Sequence, residues 1–211
     1  MNLEKAKGIK VLVVDDDPTN LSVLFSYLAE MGLKVFVAQD GHNALEQIGY
    51  ERPDIILLDV LMPEIDGFET CRRLKSNPAT ADIPVIFMTA LSDVKDIIKG
   101  FEIGAVDYVT KPFKQEVVLA RIITHLTLQH QRTELYKLNT MKNKFFSIVA
   151  HDMKEVLSTL VSLSNFLVMS VPGNGSNKLQ RAAKMLESSV QNAIKLLENL
   201  LNWAKIQNGT M

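Results

Sequence analysis

The sequence holds a single cysteine, Cys71, so no internal disulfide can form and the fold must rest on burial and hydrogen bonding. Cys71 itself reads as a packing residue in a helix, in keeping with a reducing compartment. No apolar run is long enough to cross a bilayer, and the opening MNLEKAKGIK has no apolar signal core. The expectation is a cytoplasmic chain with no membrane contact. Neither sign of charge dominates: 23 Lys plus Arg stand against 24 Asp plus Glu, which excludes a general attraction to nucleic acid. Glycine and proline are missing altogether between Lys114 and Ser170, so no turn is expected there.

What is present divides into two styles. Up to residue 113, short β-branched or apolar runs recur between amphipathic stretches: VLVV at 11–14, KVFVA at 34–38, DIILL at 54–58, PVIFM at 84–88 and DYV at 107–109. Runs apolar on both faces predict strands covered on both sides, hence a five-stranded parallel α/β sheet with helices on each face.

Beyond Pro112 the pattern becomes helical. The stretch 114–170 predicts one continuous helix, on the order of 85 Å at ~1.5 Å per residue. Every seventh residue from Leu128 gives Leu128, Leu135, Lys142, Val149, Val156 and Leu163, a seam for helix-on-helix packing. The turn formers VPGNGSN occupy 171–177, and a second breaker-free stretch runs from Lys178 to Gln207. Its Leu179, Ala182, Leu186, Val190, Ala193, Leu197, Leu200 and Ala204 predict an amphipathic helix folding back on the first. Two helices have too little core alone, so the hairpin is expected to pair with a second copy as a dimeric four-helix bundle.

The chemistry-bearing residues of the first half fall at strand ends, where open parallel sheets bind ligands. Asp15, Asp16 and Asp17 follow the first run, Asp59 ends the third, Thr89 the fourth and Lys111 the fifth. Clustered carboxylates repel unless a cation joins them, and an all-oxygen donor set suits Mg²⁺. With a lysine and a hydroxyl nearby, such a site serves acyl-phosphate chemistry on a carboxylate. Each residue also has a plainer reading, the aspartates and Thr89 as helix caps and Lys111 as a solvated charge.

In these motifs, VDDDP at 14–18, LDVLMPEIDG at 58–67, MTA at 88–90 and DYVTKPF at 107–113, residues 9–130 resemble a response-regulator receiver domain. The resemblance implies a flavodoxin-like, doubly wound fold with Asp59 as the phosphorylated residue. It further implies Mg²⁺ ligation by Asp16, Asp59 and the backbone carbonyl of Leu61, with Asp15 acting through water. Thr89 and Lys111 would hold the phosphoryl oxygens, and Tyr108 would be an aromatic rotamer switch. An aspartate-nucleophile hydrolase of the same layered class would need specificity insertions that this half lacks.

Of the four histidines, His42, His125 and His130 read as helix-opening or solvated residues. His151 is different, because Asp152 follows it and can hold the imidazole proton, as a phosphoacceptor needs. Residues 142–167, KNKFFSIVAHDMKEVLSTLVSLSNFL, resemble the phosphoacceptor box of sensor histidine kinases, and LLENLLNWAKIQ at 196–207 resembles the partner helix. The resemblance implies a dimerisation and phosphoacceptor domain over 131–208. Two positions depart from it: Glu155 and Val156 stand where relatives carry a small polar residue and then proline. No asparagine box or glycine-rich nucleotide loop occurs in the 211 residues. The expectation is therefore a chain that does not autophosphorylate alone, either a piece of a longer hybrid-type kinase, which is the preferred reading, or a phosphotransfer protein relying on another kinase. It would depend on a histidine kinase ATP-binding domain, a phosphotransfer partner or a response regulator. The alternative is a receiver-controlled dimerisation scaffold in which His151 is chemically idle.

Overall fold

Five runs rich in Val, Ile and Leu become strands because their side chains are buried on both faces of one sheet. In the computed structural model, which describes residues 7–90, 94–170 and 177–207, they are β1 (Lys10–Val14), β2 (Lys34–Ala38), β3 (Ile55–Asp59), β4 (Val85–Thr89) and β5 (Asp107–Thr110). The helices α1 (Pro18–Glu30), α2 (Gly41–Tyr50), α3 (Gly67–Ser76) and α4 (Val94–Ile103) fall between them. All pairings are parallel, in the order β2-β1-β3-β4-β5. This is the flavodoxin-like order, whose winding reverses between β1 and β3.

Alternation along each strand feeds two cores. Leu12, Val14, Ile56, Leu58 and Phe87 face Ala44 and Ile48 of α2 and Phe68, Cys71 and Leu74 of α3. On the other face, Val11, Val13, Ile55, Leu57 and Met88 meet Leu21, Leu24 and Leu28 of α1 and Val118, Leu119 and Ile122 further along the chain. Truncating such a fully buried leucine to alanine costs about 2–5 kcal/mol. Aspartates start the helices: Asp17, Asp40 and Asp66 each accept from a backbone N–H of the first turn, at 2.8, 2.7 and 2.7 Å.

Lys111 follows β5, and α5 then runs from Gln115 to Ser170 before α6 (Asn177–Gln207). Packing divides the chain into two units, residues 1–131 and 132–211, and α5 contributes to each. In the second unit the Ser164 hydroxyl donates to the Ala183 carbonyl at 2.8 Å, and Lys154 lies 3.5 Å from Glu198. Since one number rises as its partner falls, α6 runs antiparallel to α5. Among the described residues of the second unit, Ala150, Ser164, Ala183 and Val190 are buried.

The seam read from Leu128 takes a different place from the intrachain contact. Leu135, Val156 and Leu163 are exposed in the single chain, at 67, 61 and 55 %. The buried Ala150 and Ser164 lie one residue beyond Val149 and Leu163, so α6 packs on the adjacent stripe of α5. A heptad pattern gives a period, and two neighbouring stripes of the same period both satisfy it. Residues 171–176 of the expected turn, and the side chains of Leu179, Ala182, Leu200 and Ala204, lie outside the described residues. No described helix is long and apolar enough to cross a membrane.

Candidate functional site

Parallel pairing brings the carboxyl ends of β1 and β3 side by side, with Val14 opposite Leu58, so the next residues, Asp15 and Asp59, share one end of the sheet. Asp15 is fully buried, Asp59 nearly so, and Asp16 is exposed. One carboxylate oxygen from each of Asp15, Asp16 and Asp59 lies within 4.8 Å of the others. Lys111 enters from the end of β5 and places Nζ 2.7 Å from Asp15 Oδ2 and 2.6 Å from Asp59 Oδ2. Thr89 is buried at the end of β4, where its carbonyl accepts from the Lys111 backbone N–H at 2.8 Å.

Backbone and side-chain donors fix the two buried acids. Asp15 Oδ1 accepts from the Asp17 amide at 3.0 Å, and Asn20 Nδ2 reaches Asp15 Oδ1 at 3.0 Å and Oδ2 at 3.2 Å. Asp59 Oδ1 accepts from the Leu61 amide at 3.3 Å, which fixes the carboxylate against the turn after β3. Gly67 makes this turn possible: a Cβ there would fall 2.1 Å from the Asp59 carbonyl oxygen.

Electrostatics poise the pair. Burial pushes the Asp59 carboxyl above its ordinary range, further raised by the Asp15 charge and opposed by Lys111. For Lys111 burial is the largest single influence and acts downward. The hydrogen bonds and charges of Asp15 and Asp59 together outweigh it and raise its pKa. Such an assembly has the chemistry to hold a cation and to stabilise negative charge brought to Asp59.

The remaining candidates lie elsewhere. Tyr108 lines a cavity with Thr89, Phe101 and Asp107, and its ring meets Phe101 edge-on at 6.1 Å between centroids. In the second unit the His151 side chain is 79 % exposed, and its Nδ1 lies 3.3 Å from Asp152 Oδ1. Asp17, adjacent to the cluster, caps α1.

The sequence reading missed two features. Asn20, in the first turns of α1, grips both Asp15 oxygens, and its spacing of five from Asp15 could have signalled it. His125, read as solvated, lies with Nε2 2.9 Å from Asp107 Oδ2, and Arg121 binds the same oxygen. Their positions four apart on one helix face were visible, but their facing Asp107 depends on tertiary packing.

Residues 11–123 match the family model of the response regulator receiver domain. The DNA-binding dual master transcriptional regulator RpaA of Synechocystis sp. is 46 % identical over 114 residues, 54 % of this chain and 47 % of that protein. Response regulator PleD of Caulobacter vibrioides is 45 % identical over 113 residues, 54 % of this chain and 25 % of that protein. Among solved structures, the signal receiver domain of a signal transduction histidine kinase from Syntrophus aciditrophicus is 42 % identical with a TM-score of 0.52, covering 56 % of this chain and 89 % of that one. The chain thus spans less than half the length of these two curated relatives. With its fold, its acidic pocket and this match in agreement, the chain belongs to the response regulator receiver family of two-component signalling.

Proposed function

We propose that a receiver domain over residues 9–130 takes a phosphoryl group on Asp59 with Mg²⁺ bound. That event regulates, or exchanges phosphate with, a dimeric hairpin over residues 131–208 whose phosphoacceptor is His151. The observation carrying this reading is the meeting of Asp15, Asp16 and Asp59 with Lys111 Nζ 2.6 Å from Asp59. The donor set is all oxygen and two of its acids are buried, which fits a small hard cation. Asp16, Asp59 and the Leu61 carbonyl would hold Mg²⁺, with Asp15 acting through water. When bound, the ion supplies charge neutralisation to the phosphoryl oxygens.

An Asp59 carboxylate oxygen attacks the phosphorus of a donor. The new O–P bond forms as the donor's P–N or P–O bond breaks, and the leaving nitrogen or oxygen keeps the electron pair and takes a proton. Lys111 and Thr89 receive the charge on the transferred group, and Tyr108, next to Thr89 in one cavity, moves with it.

In the hairpin, exposed Phe145, Ile148, Val156 and Leu163 on α5 call for a second copy, giving a four-helix bundle. An ATP-binding domain, on a longer polypeptide or a separate one, would load His151, and Asp152 would orient its imidazole. Glu155 and Val156 favour a second reading, a scaffold with an idle His151. The discriminating experiment supplies a histidine kinase ATP-binding domain with ATP, or a small phosphoryl donor with Mg²⁺, to the whole chain. Hydroxylamine-sensitive phosphate lost in Asp59→Ala is expected. Acid-labile, base-stable phosphate lost in His151→Gln supports the transfer reading, and its absence leaves the scaffold. If no phosphate depends on Asp59, the receiver reading is wrong.

A further inference from the structure

The three clustered acids are not equally engaged. Asp15 is fully buried, so the acceptor sites it withdraws from water need donors from the chain. An ionised carboxylate offers about four such sites, two on each oxygen. Oδ1 of Asp15 accepts from the Asp17 amide and from Asn20 Nδ2, both at 3.0 Å. Oδ2 accepts from Lys111 Nζ at 2.7 Å and from the same Asn20 nitrogen at 3.2 Å. Both oxygens are thus doubly occupied, and Asn20 alone touches the two of them. Among the described residues, Asp59 is held by only two donors, the Leu61 amide and Lys111, and Asp16 is exposed.

The local sequence explains why Asn20 reaches this place. Asp17 caps α1 and Pro18 is the first helical residue, so Asn20 stands in the first turn. Helical side chains lean toward the helix N-terminus, which turns the Asn20 amide back over the residues before the cap. The nitrogen must be the end that faces Asp15, because the amide oxygen would oppose a carboxylate at hydrogen-bond distance. A cation approaching Asp15 therefore meets the positive end of the amide dipole as well as the Lys111 ammonium.

We propose that Asn20 is a positioning residue that selects the cation. By filling acceptor sites on both oxygens of Asp15, it keeps that carboxylate out of direct contact with the metal, and the site favours Mg²⁺ over Ca²⁺. Mg²⁺ demands near-octahedral geometry and retains several waters, whereas Ca²⁺ gathers about six to eight oxygens in a flexible shell. A carboxylate released at Asp15 would add a direct oxygen ligand, a change that serves Ca²⁺ and not Mg²⁺. This inference rests on the reading that Asp16 and Asp59 hold Mg²⁺, and it adds the residue that confines Asp15 to contact through water.

The test titrates the whole chain with Mg²⁺ and, separately, with Ca²⁺ by calorimetry, and reads the ratio of the two affinities. The unsubstituted chain is expected to prefer Mg²⁺. Asn20→Leu, of similar shape but without a donor, should raise the Ca²⁺-to-Mg²⁺ ratio by about tenfold, the lower end of what partners of metal ligands contribute. Asn20→Ala should move the ratio the same way without adding apolar bulk, since a water entering there is displaceable by the cation. Asn20→Gln, which keeps an amide donor, should return the ratio to that of the unsubstituted chain. A merely structural role would weaken both cations alike, so equal weakening or an unchanged ratio in Asn20→Leu and Asn20→Ala would overturn the assignment and leave the Mg²⁺ reading intact. A ratio in Asn20→Gln as high as in Asn20→Leu would also overturn it. Failure of the unsubstituted chain to bind Mg²⁺ would overturn both.

Discussion

Asp59 is the residue whose surroundings work against its own charge. Burial raises its pKa, so the ionised carboxylate is disfavoured in the folded state relative to the unfolded chain, and Lys111 offsets only part of that. Asp59→Asn removes the charge at nearly constant shape, and in metal-free buffer at neutral pH it should raise the thermal midpoint by a few degrees. Lys111→Met leaves Asp15 and Asp59 facing each other without a cation, and should cost about 3 kcal/mol in urea unfolding. A midpoint lowered by Asp59→Asn, or unchanged by Lys111→Met, would show that the pair does not carry this electrostatic tension. Asp107 has the opposite sign. Its pKa is depressed, so its stabilisation is present above the ordinary aspartate value of about 3.9 and is lost as pH falls through the lower folded value. Thermal midpoints measured between about pH 5 and pH 2 should therefore fall less steeply for Asp107→Asn than for the unsubstituted chain. The acids and Lys111 were legible because motif spacing and strand ends coincide. His125 was not, because a histidine four residues from an arginine looks solvated until the fold sets Asp107 beneath it.

The elements are held by close approaches that differ from glycine to glycine. At Gly67 a methyl group would meet the backbone oxygen of Asp59 at 2.1 Å, whereas at Gly49, inside α2, it would meet nothing within 4 Å. Gly67→Ala should therefore cost about 1–3 kcal/mol and weaken beryllofluoride binding. Gly49→Ala should stabilise by about 0.5–1 kcal/mol, because alanine is the better helix former. Chemical denaturation of the two variants checks both signs. Strand placement was readable to within a residue at each end, since apolar runs and turn formers alternate sharply. The face on which α6 lies was not. Both the stripe of Leu135, Val156 and Leu163 and the stripe of Ala150 and Ser164 repeat at helical spacing, and only the small side chains of the second permit the close contact of Ser164 with Ala183.

At the scale of the whole molecule, the exposed stripe on α5 is the feature that a single chain leaves unexplained. The proposed dimer would cover it, because a second copy would bring the same apolar side chains by two-fold symmetry. Val156→Glu with Leu163→Glu should convert a dimer into a monomer by sedimentation while leaving the receiver's Mg²⁺-dependent chemistry in place. A chain that is monomeric before substitution would remove the bundle. The fold class and receiver motifs were legible over the first 113 residues because their chemistry is local to strand ends. The hairpin's pairing face was less so, since two neighbouring stripes of one period both satisfy the pattern. Every functional statement depends on the pocket at Asp59, and the most direct measurement is titration of the whole chain with beryllofluoride in the presence of Mg²⁺. Saturable binding is expected, lost without Mg²⁺ and lost in Asp59→Ala. Equal binding by Asp59→Ala, or none by the unsubstituted chain, would contradict it.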